Sequence, residues 1–293
     1  MSRGFIFAVT GPDYTSLARQ AAQTISQYHP DIAIDLFTDQ DINDPVFSEI
    51  HRLDQSGRRP RFEALLRSRF DLTICLDADL FLVAPVDDIF EVLEHFDFAA
   101  AHDQRLNVAS HTQKFHKTQI PAAFPQYNSG VIGMRRSDAT LEFVRDWQHQ
   151  FETSELTIDQ PILRELLFLS DLRIATLPAQ YNIIDVDLIR SWDSRTCAPR
   201  ILHSSRIHMD ATDTQPPIAT AEDLVGRAYF KHLQEWQSVD GTLNPNGERY
   251  RTRAYCDSHP RKLIHRANTG LAGPQRISWL NRQLTRLGLF RSL

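Results

Sequence analysis

Apolar residues come in short continuous runs, separated by stretches with helical spacing. "GFIFAVT" (4–10) has the unbroken apolarity of a strand covered on both faces, and Gly11-Pro12-Asp13 ends it. Leu17, Ala21, Ile25 and Tyr28 then share one helical face. "IAIDLFTD" (32–39) predicts a second strand, "RFEALLRSR" (61–69) a helix and residues 71–77 a third strand. "VDDIFEVLEHF" predicts a helix and "DFAAAH" (97–102) a short strand. A polar, His-rich loop covers 103–127. Beyond it come a strand "YNSGVIGMRR", the helices "DATLEFVRDWQHQF" and "TIDQPILRELLF", and a strand "LRIATLP". "AQYNII" turns out of that strand, and "RILHSS" is a last short one. Helical patterns follow a Pro/Thr-rich loop at 212–221, over 221–237 and 274–287. Alternating strands and helices predict an α/β fold with a mostly parallel sheet.

Size and charge refine this picture. A chain of 293 residues, 42% hydrophobic and 24% charged, can bury a sizeable core. We read a catalytic domain over 1–215 and a helical extension over 216–293. The net charge of -5 is uneven: residues 241–293 hold ten Lys/Arg against two Asp/Glu. A basic tail on an acidic body implies a separate task for the tail. "MSRGFIFAVTGPDY" reads as no signal peptide, and no apolar run approaches the roughly 18 residues of a spanning helix. Three cysteines without metal spacing read as reduced thiols, so we expect a cytoplasmic protein.

The candidate chemistry lies in "TICLDADLFL" (73–82). With 26 Asp in the chain, roughly 2.3 Asp-x-Asp pairs are expected by chance, in the sense of counting matches to a template. Three occur, at Asp39/Asp41, Asp77/Asp79 and Asp185/Asp187, so spacing alone carries nothing. Placement does, because Asp77 and Asp79 follow the apolar run 72–76, where a buried strand ends. Open α/β sheets bind ligands outside the carboxyl ends of their strands. Two carboxylates there need a cation or donors, and Mg²⁺ or Mn²⁺ suits oxygen ligands with positions left for phosphate.

Several segments, in order, resemble nucleotide-diphospho-sugar transferases of the GT-A fold, close to the retaining family 8 enzymes of glycogenin-like and galactosyltransferase-like type. They are "FAVTGPDY", "RRPRFEALLRSRF", "LDADLFLVAPVDDIFE", "FPQYNSGVIGMRRS", "DQPILRELL", "LPAQYN" and "ILHSS", covering roughly residues 4–208. The resemblance implies a Rossmann-like, mostly parallel sheet flanked by helices. It also implies transfer of a hexose from a UDP-sugar to an acceptor hydroxyl, with retention.

On that resemblance Asp77, Asp79 and His203 hold Mn²⁺ or Mg²⁺, and Asp77 also touches the donor. Imidazole tilts the set towards Mn²⁺. His208 is a rival ligand. The family often follows its histidine with a Gly and a phosphate-gripping Lys. Here Ser204, Ser205 and Arg206 stand instead, with Arg206 as the substitute for that Lys. Thr10, Tyr14 and Asp39 match the nucleotide cradle, and Arg61 is the candidate for a bidentate phosphate contact. Asn128, Ser129 and Gly130 match the sugar- and acceptor-lining segment. Asp159 and Gln160 match the catalytic pair, with Asp159 on donor hydroxyls and Gln160 facing the anomeric carbon. Asp159-Gln160-Pro161 also reads as a helix start with Asp as its cap.

Two rival readings share parts of this pattern. Haloacid-dehalogenase-type phosphatases also end an apolar strand in Asp-x-Asp, but their motif continues with a small or Thr residue and opens the chain, whereas Leu80-Phe81 follow here. The other is a non-catalytic nucleotide-sugar-binding relative. In the tail, Ile277, Leu280, Leu284 and Leu287 line one face of a basic helix. Such a face suits peripheral contact with the inner membrane surface, beside a lipid-linked acceptor, or docking and oligomer contact. No aromatic platform points to nucleic acid.

Overall fold

The computed structural model describes residues 1–54, 58–109, 116–192, 196–208 and 217–244. The helical pattern at 274–287 and most of the basic tail lie outside the described residues. A seven-stranded sheet forms the centre, in the order β3-β2-β1-β4-β7-β6-β8. Its strands are β1 (Arg3–Val9), β2 (Ala33–Thr38), β3 (Glu49–Arg52), β4 (Leu72–Leu76), β6 (Phe98–His102), β7 (Tyr127–Arg135) and β8 (Ile174–Leu177). Only β7 runs against the others, pairing antiparallel with β4 and β6. The predicted mostly parallel α/β sheet is thus the observed one.

Side-chain alternation sorts the core into two layers. Phe5, Phe7, Leu72, Ile74 and Leu76 point towards α1 (Pro12–Tyr28) and α3 (Asp88–Leu93). Ile6 and Cys75 point the other way, towards α2 (Arg61–Arg67), α4 (Asp138–Glu152) and α5 (Gln160–Leu169). Both faces of β1 and β4 are therefore covered, which is why their sequences show no polar alternation. Continuing the period-two rule, Asp77 lies on the α2 side, the side of Cys75.

A two-stranded ribbon stands apart from the main sheet. β5 (Leu80–Leu82) pairs antiparallel with β9 (Ile201–His203), in the register Leu80↔His203. Residues 217–244 cover it. Leu224 on α6 (Ala221–Val225) and Leu233 and Trp236 on α7 (Arg227–Val239) pack with Phe81, Val83, Ile183 and Leu202. Trp236 Nε1 donates to the Thr196 carbonyl at 3.1 Å, and Gln237 Nε2 to that of Val83 at 2.6 Å. The start of the segment assigned to the extension is thus packed on the ribbon.

One buried histidine makes the fold pH-sensitive. His29 Nε2 accepts from the Val86 N–H at 3.1 Å, which requires a neutral ring. Burial pushes its pKa down from 6.5, with Asp87 partly opposing. A depressed histidine contributes stability above its unfolded pKa and loses it as pH falls through the folded value. Lowering the pH from 7 to 5 is expected to reduce the melting temperature, and to reduce it less in His29→Gln, as followed by circular dichroism.

Candidate functional site

The site forms where β4 ends and β5 begins. The Asp77 N–H donates to the Gly130 carbonyl at 2.9 Å, so β7 fixes the exit of β4. Two residues on, the Asp79 carbonyl accepts from the Ser204 N–H at 3.0 Å, and the β5–β9 register sets His203 beside it. His203 Nε2 is 3.1 Å from Asp79 Oδ1 and 4.0 Å from Asp77 Oδ2. One ligand atom from each of Asp77, Asp79 and His203 lies within 4.8 Å of the others.

The imidazole is held by its other nitrogen. His203 Nδ1 pairs with Asn182 Oδ1 at 2.9 Å. Asn182 Nδ2 donates to Asn128 Oδ1 at 2.9 Å, and Asn128 Nδ2 donates to Asp103 Oδ2 at 3.1 Å. Asn182 is fully buried and Asp103 is 2% exposed. With Nδ1–H donated to the Asn182 oxygen, the Nε2 lone pair faces the two carboxylates, as a metal-ligating histidine requires. Asn128 Oδ1 also accepts from the Gly130 N–H at 2.9 Å, so its oxygen already serves this scaffold.

Charge in the cluster is short of cations. Burial pushes the Asp77 carboxyl above its ordinary range, although Arg61 and His203 oppose it. Asp79 is also penalised by burial, but the hydrogen bond and charge of His203 hold it at about 2. Burial would lower His203, yet Asp79 and then Asp77 raise it. Two carboxylates, a correctly oriented imidazole and an upward-shifted Asp77 fit a hard divalent cation. A second cluster, Asp35, Glu49 and His51, lies at the far edge of the sheet. There Arg69 already grips Asp35 with two hydrogen bonds of 2.8 and 3.0 Å, so the charge is compensated.

Arg61 and Asp159 complete the inner wall. Arg61 is 9% exposed and donates to Asp77 Oδ1 at 2.8 Å and to the Ser129 carbonyl. These two donors thus serve this wall. Asp159 stands at the N-cap of α5, but its side chain caps nothing. Its carboxylate instead faces Arg61 at 3.8 Å and Arg59 at 3.9 Å. Asp159 Oδ2 is buried with no hydrogen-bond partner among the described residues. Gln160 follows as the first residue of α5.

The expected nucleotide cradle forms a neighbouring group. Asp39 accepts from the Gly11 N–H and from Gln40 Nε2, each at 2.8 Å, which with Gln40 first keeps its pKa low. Gly11 needs its freedom here, with φ at 79° between Thr10 and α1. Tyr14 is 47% exposed, and its ring lies 5.9 Å from that of His208. Arg206 is exposed in the 3-10 turn Ser205–His208.

The structure brings together Arg61, Asp77, Asp79, Asn128, Ser129, Gly130, Asp159 and His203, and links Tyr14 to them through His208. The sequence reading passed over Asn182 and Asp103 as site residues. Asn182 closes the family-like segment "LPAQYN", which was the available signal for it.

Two substitutions test the histidine mount. A Cβ on Gly130 would lie 2.4 Å from His203 Cε1 and 2.7 Å from Nδ1. Gly130→Ala must therefore displace the imidazole, and we expect divalent-cation affinity to fall about 10–100-fold, the usual range for outer-shell changes. Asn182→Leu leaves His203 Nδ1 unpaired and takes one of two donors from Asn128 Oδ1, so a similar loss in affinity is expected, with about 1–3 kcal/mol of destabilisation. Mn²⁺ titration and chemical denaturation measure the two effects.

Comparison with known proteins places this geometry. A family model for nucleotide-diphospho-sugar transferases matches residues 16–213. No curated protein sequence matches the chain. Among solved structures, the galactosyltransferase LgtC in complex with donor and acceptor sugar analogues is similar at 15% identity and a TM-score of 0.50, over 84% of this chain and 98% of that one. The apo form of the glycosyltransferase GlyE from Streptococcus pneumoniae is similar at 17% identity and a TM-score of 0.51, over 80% and 63% of the two chains. The bifunctional glycosyltransferase WbbM is similar at 12% identity and a TM-score of 0.53, over 80% and 51%. At these identities the likeness is one of fold, the GT-A arrangement. Among the described residues, no helix is long and apolar enough to cross a membrane.

Proposed function

From the premise that the chain belongs to the nucleotide-diphospho-sugar transferase family, a family of glycosyltransferases, we propose that it moves a hexose from a UDP-sugar to an acceptor hydroxyl, with retention and with a divalent metal. The observation that carries this reading is the convergence of Asp77, Asp79 and the oriented His203 Nε2 at the end of β4. Mn²⁺ or Mg²⁺ held by these three residues would supply Lewis-acid neutralisation of the leaving nucleoside diphosphate.

The chain's own groups do the rest. Thr10, Tyr14 and Asp39 border the nucleotide. Arg61 balances the charge of Asp77 and faces Asp159 beside the donor. Asp159 Oδ2, buried without a hydrogen-bond donor, is an acceptor waiting for a sugar hydroxyl. Gln160 is the neutral neighbour placed for the anomeric carbon, where a poorly nucleophilic amide suits front-face attack. Retention rests on the resemblance in this segment. The donor and acceptor analogues bound to LgtC support a sugar acceptor here as well. The phosphatase reading is not favoured, because the family match over residues 16–213 covers Asp77, Asp79, Asp159, Gln160 and His203.

The test is a donor-hydrolysis screen of nucleotide sugars with Mn²⁺, followed by NMR of the anomeric product. Preferential turnover of a UDP-hexose with retained configuration is expected. Preference for another nucleotide overturns the donor assignment, and an inverted product overturns retention.

A further inference from the structure

Asp79 is held between two imidazoles. His203 Nε2 lies 3.1 Å from Oδ1, and His208 Nδ1 lies 3.3 Å from Oδ2. The two rings differ in kind. His203 is 9% exposed, has its far nitrogen bound to Asn182, and belongs to the compact three-residue ligand set. His208 stands outside that set and meets the opposite oxygen of the carboxylate, with 35% of its side chain exposed. A metal held by His203 Nε2 and Asp79 would be met by the oxygen that His203 faces, Oδ1, which leaves Oδ2 to His208.

The placement of His208 is built into the chain. Its 3-10 turn starts one residue after β9, and that residue, Ser204, ties it to the site through an N–H that donates to the Asp79 carbonyl at 3.0 Å. Ile207, 6% exposed, anchors the turn in the core beneath the β5–β9 ribbon. The Ile207 N–H donates to the Ser204 carbonyl at 3.0 Å, and the Arg206 N–H to Ser204 Oγ at 3.3 Å. The Tyr14 ring, 5.9 Å away and tilted by 55°, borders the imidazole on the side of α1.

We propose that His208 is a positioning residue: its Nδ1–H holds the outer oxygen of Asp79, so that Asp79 offers the metal a single oxygen in a fixed direction. A carboxylate free to rotate can chelate through both oxygens and occupy a position that a phosphate oxygen needs. One whose outer oxygen is tied by a hydrogen bond keeps that position open. The inference rests on the reading of Asp79 as a metal ligand. It turns the rival ligand of the sequence into a support for the ligand beside it.

The experiment is Mn²⁺ titration followed by electron paramagnetic resonance of the free ion, on the full chain without donor. The variants are His208→Ala, His208→Asn and, as reference, Asp79→Asn. The amide nitrogen of Asn occupies the place of the histidine Nδ1, so it retains the donor and discards the rest of the ring. His208→Ala is expected to weaken Mn²⁺ binding by about 10–100-fold, and His208→Asn to recover most of the loss. Unchanged binding in His208→Ala overturns the proposal. So does a loss that His208→Asn fails to recover, which would make His208 a ligand or a packing partner of Tyr14. If wild type itself binds no Mn²⁺, the metal-site reading fails and this inference with it. If wild type binds, Asp79→Asn does not, and His208→Ala matches wild type, the inference alone fails.

Discussion

Asp79→Asn is expected to abolish metal-dependent nucleotide binding and to lower sugar transfer by about 10³-fold or more. The substitution keeps the shape of the side chain and removes one charge from a site where Asp79 is 15% exposed and held ionised by His203. A divalent cation contributes several kcal/mol of transition-state charge stabilisation. About 4 kcal/mol corresponds to roughly 10³ in rate. The neutral amide can donate to the His203 Nε2 lone pair and accept from His208 Nδ1–H, so the fold should persist. Initial rates of donor hydrolysis, with circular dichroism as the control, check the result. Unchanged turnover removes Asp79 from the chemistry.

Arg61→Ala carries the largest expected cost in stability. The guanidinium is buried between Asp77 at 2.8 Å and Asp159 at 3.8 Å. Burial opposes its charge, yet Asp77 and then Asp159 raise its pKa above the ordinary value. Removing it strands two carboxylates in a low-dielectric wall. Breaking such a pair costs about 3–5 kcal/mol. Because the Asp77 side chain is 31% exposed, the lower end, about 3 kcal/mol, is expected here. That corresponds to a fall of roughly 10 °C in melting temperature. Mn²⁺ should recover part of the loss, since a cation on Asp77 and Asp79 replaces the missing charge and binds only the folded chain. Arg61→Lys should restore the charge but not the fork that reaches Ser129 and Asp77 together.

The layered sheet was legible because β1 and β4 are covered on both faces, which leaves unbroken apolar runs. β3 was not. Its four residues Glu49–Arg52 form a half-buried edge, and a short edge strand needs no pattern. Nor was the β5–β9 ribbon. The apolar run resumes at Leu80, and nothing local shows that it pairs with residues 201–203 rather than with the main sheet. His203 was chosen from its resemblance to a family ligand. Its register opposite Leu80 is a long-range fact that no local pattern encodes. Asp159 invited a capping role by its place before Gln160-Pro161, but the nearby guanidinium groups of Arg59 and Arg61 orient its carboxylate instead. Asn182 sits just past a three-residue 3-10 turn, and its importance comes from what it touches.

Calorimetric titration of UDP into the protein, with Mn²⁺ and with the metal chelated, tests the metal centre most directly. The account predicts one UDP bound per chain with Mn²⁺, and no measurable binding once the metal is removed or His203 is replaced by Ala. Equal UDP affinity with and without metal would contradict it.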